Sequence, residues 1–485
     1  MKNLRRVGRD MQGTRSSLFG THTHIQWLLF WGLALLISSC SGRAGEPSAQ
    51  KTPVPTLLPM RTVMATDIHS DWPTYHQNPT RTGYVTGVSA PQRLTKDWMA
   101  TLDGAVYAEP LAVSGKLLVA TESNSLYALD STTGTVLWKT TVGAPVAQST
   151  LPCGDIDPLG ITGTPVYDDA TGLLFAVAEV NGPKHILVAV DIQTGQIRFQ
   201  RSVDTPGMNA RVYQQRAALL LSQKRVYIAY GGLAGDCGDY HGTIVAVQTD
   251  GQGPLLSYQV PVTREGGIWA PSGPSTDASG KIYLAVGNGE ATSDPWDHSD
   301  SVLRLSPTLQ LEDAFAPSGW QDENSHDTDL GSMGPTLLAN GGLFIAGKSG
   351  RGYLLNAQTL GGIGGELSSL QICNGVAMGG TASAGSQIFV PCNDGLRSIT
   401  IDAHQHMTIN WKATPIMSPV IGGDTVYSLD PGGTLYALAK DSGKIEARLA
   451  LGTTSSFSLP HFTTLTLYGT HIFIPTYTGV IAVNL

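Results

Sequence analysis

A short hairpin pattern that recurs along the chain constrains the fold more than any other feature. Its clearest copy is LYALDSTTGTVLWKTTVG, residues 126–143. Alternating apolar residues (Leu126, Ala128) meet Asp130, then Ser-Thr-Thr-Gly, then Val136, Trp138 and Thr140, which reads as strand, tight turn, strand. Gly134 supplies the turn position that tolerates positive φ. A lone hairpin of this size is marginal in water, so it must pack against more of its kind.

Further copies are present. Ala128 is followed six residues later by Gly134, and the same spacing links Ala189 to Gly195, Leu355 to Gly361 and Ala437 to Gly443. Weaker copies centre on Ala246, Leu305, Thr400 and Ala482. Each is preceded by another strand pair, such as PLAVSGKLLVAT or TPVYDDATGLLFAVAE. Four strands per unit, at a period of roughly 40–60 residues, is the pattern of a β-propeller. The expectation is an all-β, eight-bladed propeller of four-stranded antiparallel blades over residues 71–485. The eighth unit has only three strands before Leu485. LTKDWMATLDG, residues 94–104, carries Trp98 where the outer strand of the first blade carries Trp138. Residues 94–102 are therefore expected to complete the last blade and remove its open edge.

At the N-terminus, Lys2, Arg5, Arg6, Arg9 and Arg15 precede an apolar run from Trp27 to Ile37. That run has the length of a signal-peptide core and is short for a membrane span. Ile37-Ser38-Ser39-Cys40 follows and resembles the lipobox of bacterial lipoproteins. The resemblance implies a signal peptide over 1–39, lipidation of Cys40, and an extracytoplasmic protein held on a bacterial lipid bilayer. The alternative is an uncleaved anchor helix. Residues 41–70 are rich in Pro, Ser and Thr and read as a flexible tether.

An exported chain is free to form disulfides, and Cys153, Cys237, Cys373 and Cys392 fit two bridges. Cys373 and Cys392 stand at the open end of one expected hairpin, which pairs them; Cys153–Cys237 follows by elimination. No CxxC occurs, so neither a zinc ribbon nor a c-type haem is suggested. A net charge of −8 argues against a nucleic-acid partner.

The repeat YALDSTTGTVLW resembles that of the pyrroloquinoline-quinone (PQQ) repeat propellers, and DWPTYHQNPTRTG, residues 71–83, resembles their usual leading segment. This implies the quinoprotein alcohol dehydrogenase-like fold, which serves both quinone-dependent dehydrogenases and non-catalytic outer-membrane assembly lipoproteins. The Ala-Asp-Gly-Trp pattern is complete in the first blade; the second has Phe199 near the Trp position, and the others depart further.

Four links between strands are expected to surround one mouth of the central channel: residues 230–242, 264–273, 287–300 and 321–331. They carry Asp236, Asp239, Asp294, Asp297, Asp300, Asp322, Glu323, Asp327 and Asp329. Such a rim suits a cation or a polar ligand, or is simply solvated turn chemistry. His241 and His298 lie in the same links, without a second histidine at metal spacing. Compared with a quinone dehydrogenase, Trp269 in GGIW corresponds to the floor under the quinone, Asn288 in GNG to a calcium ligand, Asp300 to the catalytic base and metal-side carboxylate, and Asp236 to a glutamate calcium ligand. Two departures stand out: no vicinal Cys-Cys pair, and the glutamate shortened to aspartate. Two function classes follow. One is an anchored scaffold whose acidic mouth binds a small molecule or protein partner. The other is a PQQ- and calcium-dependent dehydrogenase of alcohols or sugars. A glycan-active propeller is a third.

Replacing Cys40 by Ala is expected to leave the precursor unprocessed or to release the protein from the membrane fraction. Fractionation with immunoblotting checks this, and a variant processed and retained like the wild type would contradict lipidation.

Overall fold

Eight four-stranded blades are built from the alternation described above, in a computed structural model that describes residues 71–452 and 459–485. The expected signal peptide, Cys40 and the tether lie outside the described residues. In blade 1 the strands run Leu111–Val113, Lys116–Ala120, Ser125–Asp130 and Val136–Thr141, from the channel outward. Their burial explains the order: the second and third strands are almost wholly buried, whereas the outer strand alternates exposed and half-buried residues. Blades 2 to 7 repeat this plan, with innermost strands at Val166–Asp168, Leu220–Ser222, Ser275–Thr276, Thr336–Leu337, Ala382–Ala384 and Val420–Gly422.

Blade 8 joins both ends of the described chain. Thr466–Tyr468, His471–Thr476 and Gly479–Asn484 are completed by Thr95–Thr101, with Thr95 opposite Asn484 and Thr101 opposite Gly479. The expected closing strand is therefore in place, and the pairing removes the last sheet edge.

Neighbouring blades are joined by an aromatic ring seated on a glycine. In the turn after the third strand, Asp130 Oδ1 accepts the amides of Thr132 and Thr133, and Gly134 follows at φ +71°. A Cβ on Gly134 would stand 2.5 Å from the ring of Trp98, the outer-strand tryptophan of blade 8. Trp138 covers Gly195 of blade 2 in the same way and donates Nε1–H to Ile192 O at 2.9 Å. Phe199 covers Gly251, and Trp411 of blade 6 covers Gly443 of blade 7 with a bond to Lys440 O. The docking thus reaches further round the ring than the complete pattern in blade 1 suggested, because the contact needs only a flat ring opposite a glycine.

Blade 5 departs from the repeat. Its outer strand is Ser368–Gln371, and Gly362–Ile363 pairs instead with the outer strand of blade 4, Leu311–Ala316. A single short helix among the described residues, Trp320–His326, lies in the link into blade 5. Both disulfides form as paired above, Cys153–Cys237 and Cys373–Cys392, with Cα atoms 6.2 and 5.5 Å apart.

The segment Trp72–Val85 passes through the centre of the ring. It bonds to the innermost strand of each blade, or to the residues leading into it. Trp72 exchanges backbone bonds with Ala112 of blade 1, and Pro73 O accepts from Tyr167 N of blade 2. Arg81 Nη2 donates to Leu219 O at blade 3. Pro79, Thr80, Thr82 and Gly83 carbonyls accept from Thr276, Leu337, Ser383 and Ile421 of blades 4 to 7. His76 bridges Thr381 O of blade 6 and Thr464 Oγ1 of blade 8, at 2.9 and 3.0 Å. The threonine carbonyl only accepts, so Nδ1 carries the proton and Nε2 receives the Thr464 hydroxyl. Burial lowers the His76 pKa to about 3 and keeps the ring neutral. Arg81 is 1% exposed and also donates to Pro274 O, Thr74 Oγ1 and Tyr75 O.

Arg81→Met removes the donors for these buried acceptors while keeping much of the side-chain volume. At about 1–3 kcal/mol for each of the four acceptors left unpaired, a loss of about 4 kcal/mol or more is expected. Chemical denaturation of wild type and variant measures it; an unchanged midpoint would show that the segment is not what ties the blades together.

Candidate functional site

The links between strands converge at one mouth of the channel on a cavity of about 520 Å³. Asp236, from the second-to-third-strand link of blade 3, lines it with Trp269, from the link into blade 4, and Asn288, from the second-to-third-strand link of blade 4. Asp327 and Asp329 enter from the link into blade 5, and Lys348 from the second-to-third-strand link of that blade. Asp155, Arg216, His461 and Phe462 also line the cavity.

Local packing sets each side chain. Trp269 is seated against Gly231, where an added Cβ would stand 2.7 Å from the tryptophan Cβ, so only glycine lets the ring approach. The half-buried indole has the Lys348 ammonium 5.6 Å from its ring centroid and the Phe462 ring at 6.1 Å. Asp236 Oδ1 accepts the Tyr240 hydroxyl at 2.6 Å. Asp329 is 2% exposed; its Oδ1 accepts the Asn288 amide at 2.6 Å and its Oδ2 pairs with Lys348 Nζ at 2.5 Å. Asp327 Oδ1 holds the same ammonium at 2.6 Å. Burial raises the Asp329 carboxyl against the pull of Lys348. Burial opposes the Lys348 charge, yet the two carboxylates leave its pKa raised, so the ammonium is charged.

Asp300 is not brought to the cavity. It is fully buried behind it, where its Oδ1 accepts Leu330 N at 3.0 Å. Burial, then the neighbouring Asp329, pushes its pKa well above the usual carboxylate range. The carboxylate that does stand there is Asp329. Of the other rim residues, Asp239, Asp294, Asp297, Asp322 and Glu323 do not line the cavity. Neither does His241, bonded to Val262 O, nor His298, packed on Trp296.

Lys348, Arg216, His461 and Phe462 were missed in the sequence. Lys348 sits in the same class of link as Asp236 and Asn288, in the run Gly347-Lys348-Ser349-Gly350, so a charged residue in that link was the available signal. The others come together only when the links into blades 3 and 8 meet at the mouth, where Arg216 bonds His461.

The cavity suits a planar aromatic anion. Trp269 and Phe462 offer ring faces, and Lys348 and Arg216 offer positive charge. The oxygen donors do not suit calcium in the same way. Among the described residues no three His, Cys, Asp or Glu side chains are gathered to hold a metal ion. Asp236 Oδ1 is taken by Tyr240, and both oxygens of Asp329 are taken by Asn288 and Lys348. The ammonium occupies the electrostatic role a cation would have.

Residues 82–289 match the family described as outer membrane protein assembly factor BamB. The polyvinylalcohol dehydrogenase of Sphingopyxis sp. (strain 113P3) is 22% identical over 351 residues, 62% of this chain and 50% of that protein. The chain thus spans about half the length of the curated relative it matches. The quinohemoprotein alcohol dehydrogenase from Comamonas testosteroni superposes with a TM-score of 0.63 at 14% identity, covering 85% of this chain and 80% of that one. BamB from Moraxella catarrhalis superposes with a TM-score of 0.54 at 16% identity, covering 80% and 99%. At these identities the structural likeness is one of fold. The fold and repeats define a quinoprotein-like β-propeller. The match to a PQQ-repeat family covers residues 82–289, and the fold of the described residues is shared with both dehydrogenases and an assembly factor. No helix among the described residues is long and apolar enough to cross a membrane.

Two buried carboxyls near the mouth predict a pH dependence. Burial raises Glu122, behind Arg216, to about 8, and Glu323, behind Asp329, to about 7. Each keeps its proton in the fold where the unfolded chain releases it. Their stabilisation is therefore full below the unfolded carboxyl pKa and is lost as pH rises through 7 and 8. Melting temperature should fall from pH 5 to pH 9, and Glu122→Gln should flatten that fall; an equal slope in the variant would contradict a protonated Glu122.

Proposed function

We propose that this protein binds a planar, anionic quinone of the PQQ type in its mouth cavity and oxidises alcohols there, held outside the membrane by lipidated Cys40. One observation carries the reading: Asp236, Trp269 and Asn288, drawn from three separate links, line a single cavity together with Asp329 and Lys348. Trp269 would serve as the flat floor. Lys348 and Arg216 would pair with the ligand's carboxylates or carbonyls. When bound, the quinone supplies two-electron acceptance. Asp329 Oδ2 is the carboxylate oxygen placed to take the hydroxyl proton of an alcohol, once a ligand draws Lys348 away from it. Calcium is left out of this reading because Asp236 Oδ1 is engaged by Tyr240, Asp300 is held behind the cavity, and the Lys348 ammonium stands between Asp327 and Asp329. The polyvinylalcohol dehydrogenase among the relatives makes polymeric alcohols worth assaying.

A second reading, an assembly scaffold, is favoured by the match of residues 82–289 to an assembly-factor family. Titrating PQQ into the purified protein, followed by dye reduction with alcohols, separates the two. Saturable quenching of tryptophan fluorescence and quinone-dependent reduction are expected. Lys348→Ala should weaken quinone binding by about tenfold or more, the value of a charge-assisted contact. No saturable binding and no turnover would overturn the dehydrogenase reading in favour of the scaffold.

A further inference from the structure

From Trp269 and Phe462 a run of aromatic rings continues through His461 to Tyr107 and Tyr477, two rings outside the cavity lining that the quinone reading does not use. Trp269 contacts Phe462, with ring centroids 6.1 Å apart. Phe462 contacts His461 at 4.9 Å, and His461 contacts Tyr107 at 4.9 Å. Tyr107 contacts Tyr477 at 6.0 Å, and Tyr477 is 41% exposed at the outer end. None of these contacts is a parallel stack; their interplanar angles run from 51° to 83°. The Arg216 guanidinium stands 5.4 Å from the Phe462 centroid, whereas Tyr107 and Tyr477 meet their ring neighbours edge-on and have no parallel ring against their faces.

Two features mark the run as more than chance packing. Phe462 sits at φ +63°, a conformation that bulky side chains rarely adopt and that persists where surrounding contacts impose it, often at ligand clamps. The polar groups beside the rings are also mixed in kind. Arg216 Nη1 donates to His461 Nε2 at 2.7 Å, and Asp155 stands 3.5 Å from Arg216 Nη2 with its side chain 47% exposed. Burial, then Arg216, lowers the His461 pKa to about 4, so this imidazole is neutral.

We infer that Tyr477, Tyr107, His461 and Phe462 form a track for a linear oligosaccharide, delivering a chain end to the cavity above Trp269. Sugar rings present flat C–H faces to aromatic rings, while each hydroxyl both donates and accepts hydrogen bonds. A donor guanidinium, an acceptor carboxylate and a neutral imidazole side by side meet that dual demand. A small alcohol would sit in the cavity without reaching the exposed Tyr477, whereas a chain several units long would use the whole run.

This inference names a substrate class for the cavity read above as the reaction site, and its test needs no quinone. Maltose and maltohexaose, with the cellobiose series as a second arm for linkage, are titrated calorimetrically into the full chain in detergent. Maltohexaose or cellohexaose should bind at least tenfold more tightly than its disaccharide. Tyr477→Ala should weaken the hexasaccharide about fivefold, the worth of one ring contact; its exposed ring makes the fold safe, and a melting curve verifies that. Affinity independent of length, no binding in either series, or an unaffected Tyr477→Ala variant would each overturn the track. Failure of dye reduction would instead strike the quinone reading and leave this result standing.

Discussion

The hydrogen bonding of residues 72–85 to all eight blades is the interaction on which the rest of the structure depends. A propeller centre is a polar problem: the innermost strands present backbone groups to a narrow channel, and a buried group without a partner is costly. Here one chain segment answers those groups around the ring. It does so by passing through left-handed backbone at His76, Gln77 and Arg81, with φ of +50°, +71° and +67°. Such conformations persist only because the blades impose them. Neutral His76 and charged Arg81 split the work, one bridging blades 6 and 8, the other reaching blades 3 and 4.

The outer circumference is closed by different physics. Rings of Trp98, Trp138, Phe199 and Trp411 lie on the glycines of the following blade, so four junctions are dry aromatic contacts with no room for a side chain. Thr95–Thr101 removes the remaining edge by pairing with Gly479–Asn484. Rigid blades between a hydrogen-bonded axis and a packed rim leave the links as the part free to vary. Residues from the links of blades 2 to 6 and 8 consequently meet at one mouth without any one blade carrying the site.

At that mouth the electrostatics are organised around Lys348. Asp327 and Asp329 both reach its ammonium, and Asp300 and Glu323 stand behind them in the wall. Burial and the neighbouring carboxylates raise the pKa of the deeper Asp300 and Glu323, while Lys348 compensates the nearer pair. The cavity therefore presents a compensated ion pair beside Trp269 rather than an acidic pit.

Much of this was legible in the sequence, and for clear reasons. The hairpin period, the spacing from the third-strand alanine to the turn glycine, and Trp98 echoing Trp138 are local or repeated signals, and they sufficed for eight blades, the closing strand and both disulfides. They also placed Asp236, Trp269 and Asn288 in links of the same mouth. What sequence alone left undecided was side-chain direction and cross-ring company. Asp300 and Asp329 occupy links at the same end, but Asp300 is turned into the wall at the start of its strand while Asp329 is held against Asn288 and Lys348. Arg216 and His461 are 245 residues apart along the chain yet bonded at 2.7 Å. The strand pattern determined where the backbone would go because its period repeats in every blade. The tertiary structure alone decided which charges face one another, because those contacts form between links that share no register and meet only when the ring closes.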